Sequence, residues 1–210
     1  MILTITHLVN TPISSNCYIL YHEGSGMCVL VDPGCKEAVY IINKLKELRV
    51  KPAYILLTHE HFDHIWSVND IRESYPEVKI VCSKICSNLI QDKKQNLSLF
   101  KDGIGFEVKA ADIVFEDCYE LTLEEATFFL FKTTGHSRGS ICIYYKKGNC
   151  LFSGDTIIPD LKTVTKIKGG DKEDLKNSLA LIEHRYRTLN PLLYPGHGIP
   201  DNFNDMKILY

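Results

Sequence analysis

Four apolar runs in this chain end alike, each handing over to a turn that carries histidine or aspartate. Tyr54-Ile55-Leu56-Leu57-Thr58 opens into His59-Glu60-His61-Phe62-Asp63-His64. The run Thr127 to Thr133 opens into Thr134-Gly135-His136-Ser137, and Cys150-Leu151-Phe152-Ser153 into Gly154-Asp155-Thr156. Leu192-Leu193-Tyr194 opens into Pro195-Gly196-His197-Gly198. A tight turn at glycine lets the backbone pass close to a bound group while a neighbouring side chain points inward. Taken singly, a polar residue after glycine is an ordinary turn. Four built on one plan point to a fold that gathers its strand ends at a single edge.

The first run is the densest. Three of the eight histidines in 210 residues fall within six positions, which a polar turn with chance histidines explains poorly. His59 and His61, two apart, face the same way in extended chain. Asp63 and His64 follow where the chain bends, so they can serve a second ion beside the first. Neutral imidazole and carboxylate are the donors that zinc takes in hydrolytic sites, and iron and manganese accept them too. The run is not the metalloprotease HExxH pattern, because Asp63 stands four residues after His59.

With these motifs in this order, the chain resembles the metallo-β-lactamase superfamily, and within it the glyoxalase II-like (hydroxyacylglutathione hydrolase-like) hydrolases. The resemblance is carried by residues 58–64, by Thr134-Gly135-His136-Ser137 with Gly139-Ser140, by Ser153-Gly154-Asp155-Thr156 and by Pro195-Gly196-His197-Gly198. Asn16-Cys17-Tyr18 and Asp32-Pro33-Gly34 match as well. It implies that His59, His61 and His136 hold a first metal ion, that Asp63, His64 and His197 hold a second, and that Asp155 bridges both. Asp63 and Asp155 are then the catalytic carboxylates, and the cofactors are two zinc ions per chain, with iron or manganese as alternatives.

Three neutral imidazoles make a strong Lewis acid and bring the pKa of a bound water towards neutrality. A second ion sharing that water stabilises hydroxide and the charge that develops on the substrate. The reaction expected is attack by a metal-bridging hydroxide on an ester, thioester or lactone carbonyl of a small-molecule substrate. No serine or cysteine stands in a nucleophile motif. The alternative is a mononuclear iron oxygenase of sulfur compounds, like the persulfide dioxygenases, because an overlapping donor set serves that chemistry.

Departures from the family patterns narrow the substrate. Glyoxalase II proper carries a C-terminal helical domain with basic groups for glutathione. Only thirteen residues follow His197, so that domain is expected to be absent. Persulfide dioxygenases usually carry Cys-Gly-Arg-Thr-Asp just after the aspartate, where this chain has Thr156-Ile157-Ile158-Pro159-Asp160. Zinc β-lactamases are secreted and place cysteine or serine where Asp155 stands, and Ser67 replaces a glycine usual three residues after His64. The segment Ile157–Gly170 replaces the glutathione-associated stretch and is expected to border the mouth of the site. Its Ile157, Ile158 and Leu161 are interspersed with Lys162, Lys166 and Lys168, which suits an acyl or lactone group with an anionic or polar tail. Ile157, Lys162 and Tyr194 are the expected substrate contacts, Tyr194 as a hydrogen-bond donor to the substrate oxygen.

Composition fits an ordinary soluble enzyme. A 45% hydrophobic content over 210 residues can bury one substantial core, so residues 1–210 read as a single domain. No run of eighteen apolar residues suggests a membrane span, and the first residues lack the layout of a secretory signal. Eight cysteines without a CxxC pair then point to reduced thiols and a cytoplasmic location. Cys17, Cys28, Cys142 and Cys150 lie in apolar runs and are expected to pack as small hydrophobes. A net charge of -2 gives no indication of nucleic acid or an anionic membrane as partner. The oligomeric state is left open.

Strand-like runs at Cys17–His22 and Met27–Asp32 flank the hairpin signal Glu23-Gly24-Ser25-Gly26. Val39, Ile42, Leu45 and Leu48 predict a helix over Glu37–Arg49. A strand Tyr54–Thr58, a helix Ile65–Tyr75, a strand Val78–Cys82 and a short helix Lys84–Gln91 follow. Asp92–Gly105 reads as a surface loop, Ile104–Leu130 as short strands, and Ser140–Tyr145 begins a hairpin. A last amphipathic helix, capped near Asp171, puts Leu175, Leu179, Ile182, Tyr186 and Leu189 on one face. Periodicity alone gives a mixed α and β class. The resemblance implies an α+β, four-layer αββα sandwich of two mixed β-sheets flanked by helices, with the metals at one edge.

Overall fold

Alternation along the strands sorts the apolar side chains of this protein into three buried clusters between four layers. The computed structural model describes residues 2–205. Its first half contains β1 (Thr4–Val9), β2 (Asn16–Tyr21), β3 (Met27–Val31), α1 (Val39–Leu48), β4 (Lys51–Leu56), α2 (Phe62–Ile65), α3 (Val68–Ser74), β5 (Lys79–Ser83), α4 (Lys84–Leu89), α5 (Ser98–Asp102) and β6 (Ile113–Phe115). Then come β7 (Cys118–Leu123), β8 (Ala126–Lys132), β9 (Ile141–Tyr145), β10 (Cys150–Gly154), α6 (Lys172–Tyr186), β11 (Leu192–Pro195) and β12 (Asp201–Asn202).

The strands form two sheets in the orders β1-β2-β3-β4-β5-β6 and β12-β11-β10-β9-β8-β7. Both are mixed: β3, β4, β5 and β6 run parallel in the first, and β10 and β11 run parallel in the second. Successive residues point to opposite faces of a strand. Ile19, Cys28 and Leu30 therefore pack outward with Ile41 and Leu45 of α1 and Ile71 of α3. Their neighbours Tyr18, Leu20, Val29 and Val31 pack inward against Phe128, Ile141, Ile143 and Phe152 of the other sheet. Cys142, Leu151 and Leu193 face outward onto Leu175, Leu179, Ile182 and Tyr186 of α6. The result is the four-layer αββα sandwich. Strands buried on both faces need near-continuous apolar sequence, which is how β2, β3 and β10 read. The cysteines of those strands fill the core as small hydrophobes.

Strand direction places the site. The metal run follows the C-terminal end of β4, whereas Asp155 and His197 follow the C-terminal ends of β10 and β11. β8 is antiparallel to β9, and β9 to β10. Two reversals restore direction, so the turn bearing His136 emerges at the same edge as Asp155. The halves are joined there. Asn16 Nδ2 donates to the carbonyls of Pro195 and Gly198, each at 2.9 Å, and Tyr18 Oη donates to Pro195 O at 2.6 Å. Ile141 N donates across the sheets to Thr58 O at 2.8 Å.

Three expectations need adjustment. The helix α1 starts at Val39, two residues later than the periodicity suggests, and stops where Arg49 turns left-handed with φ 57. The helix expected over Ile65–Tyr75 is two pieces, because the Ser67 N–H leaves the helix for Pro33 O at 3.0 Å and Ser67 Oγ donates to Cys35 O. Ser67 thus ties the start of α3 to the Asp32–Cys35 turn. Asp92–Gly105 is more than a surface loop. It contains α5, and the fully buried Asn96 accepts the Phe62 N–H on its main-chain carbonyl at 2.9 Å while Nδ2 donates to Phe106 O at 2.8 Å. Polar composition hides such a residue, since a buried amide and a solvated one look the same in sequence.

Asn16→Ala removes two donated hydrogen bonds to carbonyls at the joint between the halves. It is expected to destabilise the protein by about 1–3 kcal/mol, seen in urea denaturation as a lower midpoint at unchanged m-value.

Candidate metal centre

Each motif turn delivers its side chain to one small volume. His59, His61 and His136 place ligand atoms within 4.8 Å of one another, and so do Asp63, His64 and His197. In the first group His61 Nδ1 faces His136 Nε2 at 2.9 Å. In the second, Asp63 Oδ2 lies 3.4 Å from His197 Nε2 and 3.7 Å from His64 Nε2. Asp155 stands between the groups: Oδ2 is 3.5 Å from both His136 Nε2 and His197 Nε2, and Oδ1 is 3.5 Å from His64 Nε2. All are buried except His197, whose side chain is 22% exposed and marks the open side.

The outward-facing ring nitrogens show which way the lone pairs point. His136 Nδ1 meets Val164 O at 2.9 Å and His197 Nδ1 meets Ser14 O at 3.0 Å. A carbonyl can only accept, so in both rings Nδ1 carries a proton and Nε2 is the nitrogen turned inward. His64 Nδ1 donates to Asp32 Oδ2 at 3.0 Å. Thr58 Oγ1 gives its own proton to Asp32 at 2.5 Å and therefore accepts from His59 Nδ1 at 3.0 Å. Four imidazoles are thus oriented by outer hydrogen bonds of the kind that fix metal-binding histidines.

This donor set fits metal ions. The Nε2 atoms of His59 and His64 and Asp155 Oδ1 are buried without a hydrogen-bond partner among the described residues. Each such atom carries a desolvation cost of about 1–3 kcal/mol that cations facing the donors would offset. Glycine permits the approach. A Cβ on Gly196 would stand 2.1 Å from Asp155 Oδ1, and one on Gly34 would stand 1.5 Å from Asp63 O.

Electrostatics separates the two groups. Burial, reinforced by the surrounding imidazoles, holds His59 well below the ordinary histidine pKa, and burial takes His61 to about 3 and lowers His136. These rings are neutral donors at neutral pH. Around His64 burial again opposes charge, but Asp63, Asp155 and Asp32 outweigh it and lift the pKa to about 10. His197 is raised too, its hydrogen bond to Asp63 and the charge of Asp155 overcoming burial. Burial would raise Asp63, yet His64 and His197 hold it below the usual carboxylate range. The second group therefore attracts positive charge, as protons or as a metal ion.

The substrate-contact residues fall differently. Ile157 is 1% exposed and packs with Leu175 and Leu179 under α6. Chain leaving β10 is still core there, so the exposed apolar residues of the segment are Leu161 and Val164 instead. Tyr194 stacks on Phe152 at 4.8 Å and meets Tyr18 edge-on at 5.2 Å. Its hydroxyl lies against Cys150, at the start of β10, whereas Asp155 follows the end of that strand. Lys162 is exposed in the segment whose Val164 carbonyl holds His136. Asp32, in the Asp32-Pro33-Gly34 motif, orients the site without belonging to either ligand group. It is 1% exposed and accepts from Thr58 N, Thr58 Oγ1 and His64 Nδ1. Ser15, which donates to Asp63 O at 2.5 Å, gave no signal in the sequence.

Comparison with known proteins follows the same lines. The Metallo-beta-lactamase superfamily model matches residues 10–197. The probable metallo-hydrolase YqgX of Bacillus subtilis is 33% identical over 189 residues, which cover 89% of this chain and 86% of that protein. The hydroxyacylglutathione hydrolase of Klebsiella pneumoniae is 32% identical over 152 residues, 72% of this chain and 51% of that enzyme. The solved structure of BLEG-1, a B3 metallo-beta-lactamase, superposes with a TM-score of 0.87 at 31% identity, over 96% of this chain and 95% of that one.

Metal uptake should release protons unevenly. His64, with a pKa of about 10, is protonated at pH 7 in the metal-free protein and must lose its proton to ligate. The neutral rings of the first group have none to lose. Zinc titrated calorimetrically in buffers of different ionisation enthalpy is expected to show at least one proton released with one ion and almost none with the other. The affinity for the proton-releasing ion should rise from pH 6 to 9. Equal proton release for both ions would contradict this division.

Proposed function

This chain belongs to the metallo-β-lactamase superfamily, and on that premise we propose that it is a dinuclear metal-dependent hydrolase of ester, thioester or lactone bonds in small molecules. The observation that carries the reading is the convergence of seven buried or half-buried side chains with their potential ligand atoms together at one edge of the sandwich. His59, His61 and His136 would hold one ion, Asp63, His64 and His197 the other, and Asp155 both. Two ions there supply Lewis acidity and lower the pKa of water. Zinc is the proposed metal, because imidazole-rich sites without a redox task suit it.

The chain's own residues do the rest. Asp63 and Asp155 balance positive charge at the reacting edge, and Asp32 keeps His64 and Thr58 aligned. Ser15 and Asn96 fix the backbone on both sides of Asp63, so the carboxylate does not drift as charge changes. The segment 157–170 is tied to the site through Val164 O and carries exposed Leu161, Val164, Lys162, Lys166 and Lys168. An apolar acyl group with an anionic tail suits that lining, with Lys162 as the proposed contact. The described residues include no helix long and apolar enough to cross a membrane. Together with eight free thiols, this supports a cytoplasmic enzyme.

Asp63→Ala is expected to lower hydrolysis by at least about 100-fold and to halve metal content, with circular dichroism unchanged. His22→Ala and His184→Ala, outside every motif, serve as controls. Metal analysis of protein purified without added metal should give about two zinc ions per chain, and about one iron would favour the sulfur oxygenase instead. A panel of S-lactoylglutathione, acyl-homoserine lactones, simple thioesters and a penicillin identifies the acyl class. Full activity in Asp63→Ala would overturn the two-metal reading.

A further inference from the structure

Glu60 lies between His59 and His61 but turns the opposite way, as alternation in extended chain requires. It is 1% exposed. Its carboxylate meets a hydroxyl: Ser137 Oγ donates to Oε2 at 2.8 Å. Ser137 Oγ also accepts Gly139 N at 3.1 Å and lies 3.0 Å from Ser140 Oγ, which in turn accepts Ser137 N at 3.2 Å. Gly139 O accepts from Ser83 Oγ at 2.8 Å, just ahead of α4. A Cβ on Gly139 would stand 2.4 Å from Glu60 Oε2 and 2.9 Å from Cys86 Cα, so the turn is seated directly on the carboxylate.

Adjacent residues thus make paired contacts on opposite sides of the backbone. His61 meets His136 on the metal side, while Glu60 meets Ser137 behind it. The two segments come from different sheets, and the nearest backbone bond between them is Ile141 N to Thr58 O. We propose that Glu60, through Ser137, is a positioning residue that sets the spacing between His59 and His61 on one segment and His136 on the other, and so the affinity of the first metal site. This rests on the metal reading above. The physical reason is preorganisation, since a turn free to move must be ordered when the ion binds, and that cost comes out of affinity.

The test isolates the three-histidine site in a His197→Ala background and measures zinc affinity by competition with a chromophoric chelator, alongside the melting temperature of the metal-free protein. Glu60→Ala and Ser137→Ala should each weaken zinc binding about tenfold. Glu60→Gln should bind nearly as the parent does, because its amide oxygen still accepts the Ser137 hydroxyl. The double alanine variant should bind no more weakly than Glu60→Ala. Unchanged zinc affinity in Ser137→Ala, or Glu60→Gln as weak as Glu60→Ala, would overturn the proposal. If Glu60→Ala does not fold, Ser137→Ala and Glu60→Gln decide it. Failure of the parent to take up zinc would overturn the metal reading itself, whereas a parent that binds normally beside unaffected variants would overturn only the role of Glu60.

Discussion

Imidazoles and carboxylates crowded together away from water are unfavourable neighbours, and the rest of this structure is arranged to hold them there. Left to itself, each ring would rotate to find a donor or reach water. Here the opposite nitrogen of each of four rings is engaged: by Thr58, Asp32, Val164 and Ser14. Asp32 accounts for two of the four, His64 directly and His59 through Thr58. One buried carboxylate accepts from a backbone N–H, a hydroxyl and an imidazole, so the ends of β3 and β4 and the start of α2 are fixed together.

Topology makes that arrangement stable across two sheets. The strands that feed the site point the same way within each sheet, and the sheets meet along a continuous apolar layer. At the edge, where that layer runs out, hydrogen bonds take over: Asn16 and Tyr18 to the last motif turn, Ile141 to Thr58, Ser137 to Glu60. A buried polar network of this kind holds only if its members are satisfied together. The inward atoms left unpaired are those that face the proposed ions.

The two halves of the site differ in charge, and this shapes the chemistry available. Three neutral rings on one side make a strong Lewis acid of any ion they hold. On the other side Asp63, Asp155 and Asp32 raise the proton affinity of His64, and Asp63 and Asp155 that of His197, so metal and protons compete there. Exposure is also uneven, with His197 the most open of the seven. The last motif turn is therefore the side of the site that meets solvent.

The sequence by itself determined the local elements and the donor set. Short apolar runs bounded by turn residues mark the strands, and three histidines within six residues are a chemical statement that needs no coordinates. Tertiary structure decided what burial does to residues of ambiguous type. Ile157 became core because chain leaving β10 is covered by α6, and Tyr194 joined an aromatic stack because its neighbour in register is Phe152. The helix after His64 broke because Ser67 found Pro33 and Cys35, partners more than thirty positions away. Glu60, Asn96 and Ser15 carried no signal, since a polar side chain is written the same way whether it faces water or orients a site. Its role is set by what lies across the gap, and only the packed chain supplies that.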